Sequence, residues 1–336
     1  MIALDLIPLE RRETARSALT AAFGASPVTD LRTVTGGGSG ALTYRVETGG
    51  RPYLLRLETA RDTFRNPQRS YVCMQTASDA GLAPPLRYAD PVAGVAIMDF
   101  LPQQSLFDYP TGREGLVRDL GQLTARLQTT PVFPPLYDYP VIVRGLLDYL
   151  RAPGLFAPGL LDPHLEGFER IRAAYPWDGA ALVSGHNDPN PSNIIFDGER
   201  LWLVDWEMSF RNDPLADVAI LSQYFAPTPE LEEVMLQAWL GRSPDRLLRA
   251  RLLLMRQFTR LYYAGIALST AVGFAPRPAP YADLEAPTVA EFHGDYARPK
   301  GAAELLYTLG RAYLRDFLDG LSAPGFEDAL VIARRG

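Results

Sequence analysis

The sequence predicts an α+β fold, with a mainly antiparallel sheet lobe over residues 1–102 and a mainly helical lobe over 103–336. Three observations carry that expectation. Short apolar runs separated by glycine- and proline-rich turns crowd the first hundred residues. Longer patterns of helical period dominate after them. The chain has 336 residues, 47% of them hydrophobic, which is enough to bury the cores of two lobes.

Taken in order, residues 8–24 read as a helix leading into the fold. Residues 31–34, 42–47 and 53–57 read as strands. Thr35-Gly36-Gly37-Gly38-Ser39-Gly40 joins the first pair, and Gly49-Gly50-Arg51-Pro52 leads into the third. In that third strand Arg56 shares a face with Leu54, as a solvated edge charge or as a buried cation. Residues 67–80 are helical and end at Gly81; residues 95–101 form a buried strand stopped by Pro102. Leu116, Leu120, Leu123 and Leu127 mark the core face of a helix over 115–129. Further helices are expected at 141–151, 164–175, 214–225, 230–240, 245–272 and 302–320. The stretch 273–301 holds five prolines and mixed charge and reads as an ordered loop or lid.

Composition excludes several classes. A net charge of −6 leaves no electrostatic footprint for nucleic acid. The single cysteine, Cys73, rules out an intrachain disulfide framework, sits in an apolar helical pattern and points to a reducing cytoplasm. The N-terminus does not read as a signal peptide, and no apolar run approaches a membrane span. Lys300 is the only lysine, so a Walker A loop is impossible and any phosphate clamp must use arginine. Ser39 is followed two residues later by Ala41, so no G-x-S-x-G nucleophile elbow exists.

The chemistry concentrates in Gly185-His186-Asn187-Asp188-Pro189-Asn190-Pro191-Ser192-Asn193 and Leu203-Val204-Asp205-Trp206-Glu207. The first stretch is too rich in Gly, Asn, Pro and Ser to be helix or regular strand. Ile194-Ile195-Phe196 then reads as a strand, Asp197-Gly198 as a two-residue hairpin turn, and 201–204 as the return strand. That hairpin delivers Asp205 beside Asn193. Asp188 can orient an attacking hydroxyl, while Asn193 and Asp205 can supply oxygen to Mg²⁺, which needs only one or two protein ligands when phosphates complete its shell. The glycines at 36–40, Gly37, Gly38 and the neighbouring Ser39 among them, would let the backbone approach phosphates. These are the parts of a kinase site. Three histidines, His164, His186 and His293, are too few to expect a histidine metal site.

Here the chain resembles the aminoglycoside phosphotransferase and choline kinase superfamily, which shares the protein-kinase fold. His186, Asp188 and Asn193 match its H-x-D-x-x-x-x-N loop, and Asp205-Trp206-Glu207 matches its metal-binding triplet. Asn187 and the run Asn212-Asp213-Pro214-Leu215-Ala216-Asp217 are most similar to the bacterial choline kinase branch. The resemblance spans residues 28–268 and implies an ATP- and magnesium-dependent kinase of a small alcohol, with no nucleic-acid, membrane or obligate protein partner. It implies that Arg56 binds the nucleotide phosphates and that Met98, Asp99 and Leu101 form the adenine-binding hinge between the lobes. It gives His186 and Asp217 supporting roles in bracing the catalytic loop, and leaves Glu207 as a supporting residue or substrate ligand. One departure stands out: Ser70 occupies the helix position where the family places a glutamate for the strand's basic residue. That departure motivates an alternative, a nucleotide-binding pseudokinase with a regulatory role. The acceptor is expected near 206–212, 256–263 and 281–298, where Glu207, Asp283, Glu285, Glu291 and Asp295 suit an amine-bearing alcohol. Trp206, Trp239, Tyr224, Phe225, Tyr262 and Tyr263 could form an aromatic box for that amine, although core packing is the first reading of each.

Overall fold

The structure, a computed structural model, describes residues 4–34, 41–152, 154–177, 181–276, 279–294 and 301–335. In chain order its elements begin α1 (Leu9–Phe23), β1 (Val28–Thr33), β2 (Leu42–Thr48), β3 (Arg51–Leu57), α2 (Pro67–Asp79), β4 (Leu86–Asp90) and β5 (Val95–Asp99). Then come α3 (Gly112–Gln128), α4 (Tyr139–Arg151), α5 (Asp162–Ala174), β6 (Val183–Gly185), β7 (Ile194–Phe196), β8 (Leu201–Leu203) and β9 (Phe210–Asn212). The last are α6 (Leu215–Phe225), α7 (Pro229–Leu240), α8 (Arg246–Phe274), α9 (Val289–His293), α10 (Ala302–Leu321) and α11 (Phe326–Arg335). They form two compact units: Met1–Leu136 with Leu182–Ser243, and Tyr137–Ala181 with Pro244–Gly336.

The first unit carries a five-stranded antiparallel sheet in the order β1-β2-β3-β5-β4, so the α+β class holds as expected. One face of the sheet buries Leu31, Val46, Leu55, Leu57 and Ile97 against Ala15, Ala18 and Leu19 of α1. The other joins Met98 and Ala96 to Tyr71, Cys73 and Met74 of α2, to the leucines of α3, and to Ile194, Leu203 and Trp206. Helix α2 begins where Asn66 accepts a hydrogen bond from the Gln68 N–H at 3.0 Å and Pro67 presets the first turn. At Gly121 a Cβ would meet the Met235 carbonyl at 2.6 Å, so only glycine lets α3 and α7 approach this closely.

The second unit is built around α8, against which α4, α10 and α11 pack. Asp245 caps α8 by accepting from the Leu248 N–H at 2.8 Å. Tyr139, Phe168, Trp177, Phe258 and Tyr262 interleave in its core, with centroid spacings such as 5.5 Å for Tyr139–Tyr262 and 4.6 Å for Trp177–Phe258. The core reading of Tyr262 is therefore correct; it is 1% exposed.

Several elements are absent from the sequence reading. Strand β4 has no strict alternation and a register shift between Leu86 and Tyr88. Strands β6 and β9 are three residues each and pair only with one another. Helix α9 lies within the predicted loop 273–301, nucleated by a capping box between Thr288 and Glu291. Glu291 is spent there, which removes it from the acids expected to meet an acceptor; Asp283 accepts from the Glu285 N–H at 3.0 Å, and Asp295 lies outside the described residues.

Candidate active site

The site lies within the first unit and starts at the loop between β6 and β7. Asn187 has φ +62°, a left-handed conformation that asparagine tolerates better than most residues. Its buried amide holds the loop there: Nδ2 donates to the carbonyls of Gly185, Met208 and Phe210, and Oδ1 accepts from Asn212 Nδ2 at 2.7 Å. Beneath the loop, Asp217 of α6 accepts from the His186 N–H at 2.8 Å and the Asn187 N–H at 2.7 Å. Burial pushes its carboxyl up to about 6 despite those two bonds. The Asn212-Asp213-Pro214 run makes the same corner from the other side, Asp213 accepting from the Leu215 N–H at 2.8 Å to start α6.

His186 is fully buried, and burial lowers its pKa to about 4, so the ring is neutral. Its Nε2 is 2.9 Å from the Val204 carbonyl. A carbonyl only accepts, so Nε2 carries the proton and donates. The ring packs 4.8 Å from that of Trp206, which is itself buried at 4% exposure.

Past this brace, Asp188 is half-buried and gripped on both oxygens: Asn190 Nδ2 donates to Oδ1 at 2.9 Å and Asn193 Nδ2 to Oδ2 at 3.1 Å. Asn190, which the sequence reading passed over, also accepts the Ser192 N–H at 2.8 Å and so starts the 3₁₀ turn Pro191–Asn193. Asn193 spends Nδ2 on Asp188, which leaves Oδ1 without a hydrogen-bond partner among the described residues.

The hairpin then brings Asp205 in. Ile194 pairs with Leu203 and the Val204 N–H donates to the Asn193 carbonyl at 3.0 Å, so Asp205 follows immediately beside Asn193. The turn differs from the predicted two-residue type: it spans four residues because Asp197 captures the N–H groups of Glu199 and Arg200 and, at 2.6 Å, Nε1 of Trp202. Asp205 has φ +66°. A non-glycine residue there costs roughly 1–3 kcal/mol and persists only where the surroundings impose it.

Arg56 of β3 meets this end of the hairpin. It is an interior cation, 13% exposed, with Nε donating to Glu58 Oε1 at 2.9 Å, one terminal nitrogen 3.3 Å from Asp205 Oδ1 and the other 3.0 Å from Glu207 Oε2. Burial pulls the guanidinium pKa down, but Asp205, Glu58 and Glu207 together raise it overall. One cation faces three carboxylates. Burial and Asp205 raise Glu207 to about 7 even though Arg56 opposes them. Glu58 was not singled out in the sequence. The signal was present, because positions 56 and 58 share a strand face, and the Glu58 N–H extends the ladder to the Gly94 carbonyl at 2.9 Å.

Helix α2 is fastened to the same place. Buried Arg69 donates to the carbonyls of Thr63, Ser209 and Glu207, the last at 2.6 Å. A cavity beside Arg56 is lined by Leu54, Glu58, Ser70, Met98, Asp205 and Glu207. Met98 thus shares a wall with the charged cluster; Asp99 and Leu101 do not line it. The Asp99 N–H is committed to the Pro85 carbonyl at 3.0 Å, and its carboxylate to Arg87. Leu101 makes no hydrogen bond among the described residues, so its backbone groups are available to a ligand. Gly37, Gly38 and Ser39 lie outside the described residues.

The donor set suits a hard cation. No cluster of three or more His, Cys, Asp or Glu able to hold a metal exists among the described residues. What the hairpin offers is the uncommitted Asn193 Oδ1 and the Asp205 carboxylate, a pair that matches Mg²⁺ completed by phosphate oxygens.

With this geometry in hand, the family is plain: the chain belongs to the phosphotransferase enzyme family, whose sequence profile matches residues 30–252. In fold it is similar to a choline/ethanolamine kinase family protein from Mesorhizobium loti, at 22% identity over 96% of this chain and 99% of that one, with a TM-score of 0.70. It is also similar to the choline kinase LicA from Streptococcus pneumoniae, at 14% identity over 93% and 99% of the two chains, with a TM-score of 0.65. A third neighbour, APH(2")-IIa in a ternary complex with streptomycin and ATP, gives 15% identity over 80% and 91%, with a TM-score of 0.58. Among curated relatives, 58 residues are 33% identical to protein LicA of Haemophilus influenzae, covering 17% of this chain and 22% of the relative. A further 150-residue match, 28% identical, covers 44% of this chain and 28% of an uncharacterized protein of Metamycoplasma hominis. The chain therefore spans less than a third of the length of the curated relatives it matches.

Proposed function

We propose that the chain is an ATP-dependent kinase that phosphorylates a hydroxyl of a small amino alcohol. The observation that carries this reading is the convergence of Asp188, Asn193 and Asp205 on one corner of the hairpin, with Arg56 reaching Asp205 from β3. Neighbours of the same fold whose names state a choline or ethanolamine kinase, and one bound to ATP, support it.

The chemistry assigns a task to each side chain. Asp188, oriented by the Asn190 and Asn193 amides, takes the hydroxyl proton of the acceptor. The acceptor oxygen bonds to the γ-phosphorus as the bond from that phosphorus to the β–γ bridging oxygen breaks, and ADP leaves with the electron pair. Arg56 turns its terminal nitrogens from Asp205 and Glu207 to phosphate oxygens, where a planar fork binds better than a point charge. Asn193 and Asp205 would hold magnesium, whose chemistry is to neutralise phosphate charge. Asp217, His186 and Asn187 fix the loop and do not touch the reacting atoms. Met98 packs behind the adenine, and the backbone of Leu101 meets its edge.

Glu207 lines the cavity beside Arg56 and Asp205, and its carboxyl favours a cationic acceptor. A screen of choline, ethanolamine, amino sugars and hydroxy acids by coupled ADP release tests this. Turnover confined to amine-bearing alcohols is expected; turnover of a hydroxy acid instead would refute the amine specificity. No observation favours the pseudokinase alternative, since Arg56 is held by an acid despite Ser70.

A further inference from the structure

We propose that Glu58 is the positioning residue of Arg56, setting the plane of the guanidinium so that its two terminal nitrogens face the phosphate site. The inference rests on the kinase reading above and concerns how its phosphate clamp is aimed.

Three features of the geometry carry it. Glu58 holds Nε, the nitrogen on the stem side of the fork, at 2.9 Å. With Nε fixed, the outer pair can only point away from the strand, and they do, to Asp205 at 3.3 Å and Glu207 at 3.0 Å. The contact is shielded: the side chains are 13% and 9% exposed, so water weakens the pair little. The carboxylate is also braced from the helix side, where the Tyr71 hydroxyl of α2 donates to Glu58 Oε1 at 3.4 Å. Tyr71 is the neighbour of Ser70, which is buried and lines the same cavity as Arg56 and Glu58. Helix α2 thus reaches the cation through a hydroxyl and a strand acid rather than through an acid of its own.

Asp205 and Glu207 cannot do this job. They grip the outer nitrogens, which a phosphate must displace, so their hold ends when the ligand arrives. The Nε bond survives that exchange, because it lies on the opposite edge of the fork.

The sign of the effect makes the idea testable. Removing one negative charge beside a phosphate site would, by charge alone, tighten ATP. Loss of aim does the opposite. In the full chain, Glu58→Gln should weaken ATP about tenfold by calorimetry, a change of about 1.4 kcal/mol, with KM for ATP raised and kcat lowered. Adenosine, which lacks phosphates, should stay within about twofold. Glu58→Asp keeps the charge, shortens the reach and should fall between, so the series does not depend on one variant folding. Ser70→Glu added to Glu58→Gln should restore part of the lost ATP affinity, by supplying an acid from the adjacent wall.

Tighter ATP binding by Glu58→Gln overturns the proposal, and so does equal weakening of ATP and adenosine, the mark of a merely structural residue. No recovery in the double variant also counts against aim as the cause, because an acid returned to the cavity wall beside Arg56 would then not restore the clamp. A wild-type chain that binds neither ATP nor adenosine overturns the kinase reading itself, and this inference with it.

Discussion

Replacing Asp217 by asparagine tests how the catalytic loop is held. The carboxylate is 2% exposed and accepts two backbone N–H bonds, at 2.8 Å from His186 and 2.7 Å from Asn187. Asparagine keeps one acceptor and turns a second donor toward an N–H that is already a donor. The variant loses a hydrogen bond to a charged group, about 1.5–3 kcal/mol, and leaves buried donors facing each other, about 1–3 kcal/mol more. A total near 4 kcal/mol is expected, large because Asn187 must also be kept at φ +62°. The pH dependence follows from the raised carboxyl, from 3.8 to about 6. The folded state binds more protons than the unfolded state across that window, so this group's contribution falls as pH rises through it and is constant above. The span is about 3 kcal/mol. Buried His186, lowered from 6.5 to about 4, runs the other way: its contribution is full above 6.5 and is lost as pH falls toward 4. The difference between wild type and variant therefore isolates Asp217. Urea unfolding from pH 3.5 to 7.5 measures it, with turnover assayed in parallel. A loss below 1 kcal/mol at pH 7, or a wild-type minus variant difference that does not change with pH, would refute the account of the loop.

Arg56→Ala should weaken ATP far more than adenosine by calorimetry, and Arg56→Lys should recover only part of it, because a point charge replaces a fork; equal weakening of both ligands would make Arg56 a folding residue. Asp205→Ala should abolish the magnesium dependence of ATP binding in titrations at matched metal, and unchanged affinity would move the cation elsewhere. Gly265→Ala should cost about 1–3 kcal/mol by thermal unfolding, since its Cβ would meet Leu146 Cβ at 2.5 Å where α8 and α4 approach; an unchanged Tm would mean the helices separate freely.

Much of this was legible in the sequence, for physical reasons that differ by element. The long helices declare themselves: the Leu116, Leu120, Leu123 and Leu127 stripe is buried as its period requires. The hairpin that delivers Asp205 was legible because Ile194–Phe196 and Leu201–Leu203 are apolar runs flanking a turn signal. Strands β6 and β9 were not, since three residues carry no period and their pairing is set by the Asn187 and Asn212 amides. Glu58 carried a weaker signal: it shares a strand face with Arg56, but an acid just past a strand end reads first as a solvated charge. Asn190 hid for a related reason: a loop asparagine reads as turn-former first, and here it caps a 3₁₀ turn with one end and holds Asp188 with the other. Among the acids near 281–298, a sequence does not show that Glu291 caps the start of its own helix.

In the proposed mechanism Asp188 accepts the acceptor's proton. Coupled ADP release by Asp188→Asn, measured on the best alcohol from the screen beside a calorimetric ATP titration, tests it most directly. Turnover should fall by about 10²-fold or more while ATP affinity stays near wild type, the scale of losing a positioned base. Turnover within a small factor of wild type would contradict the account.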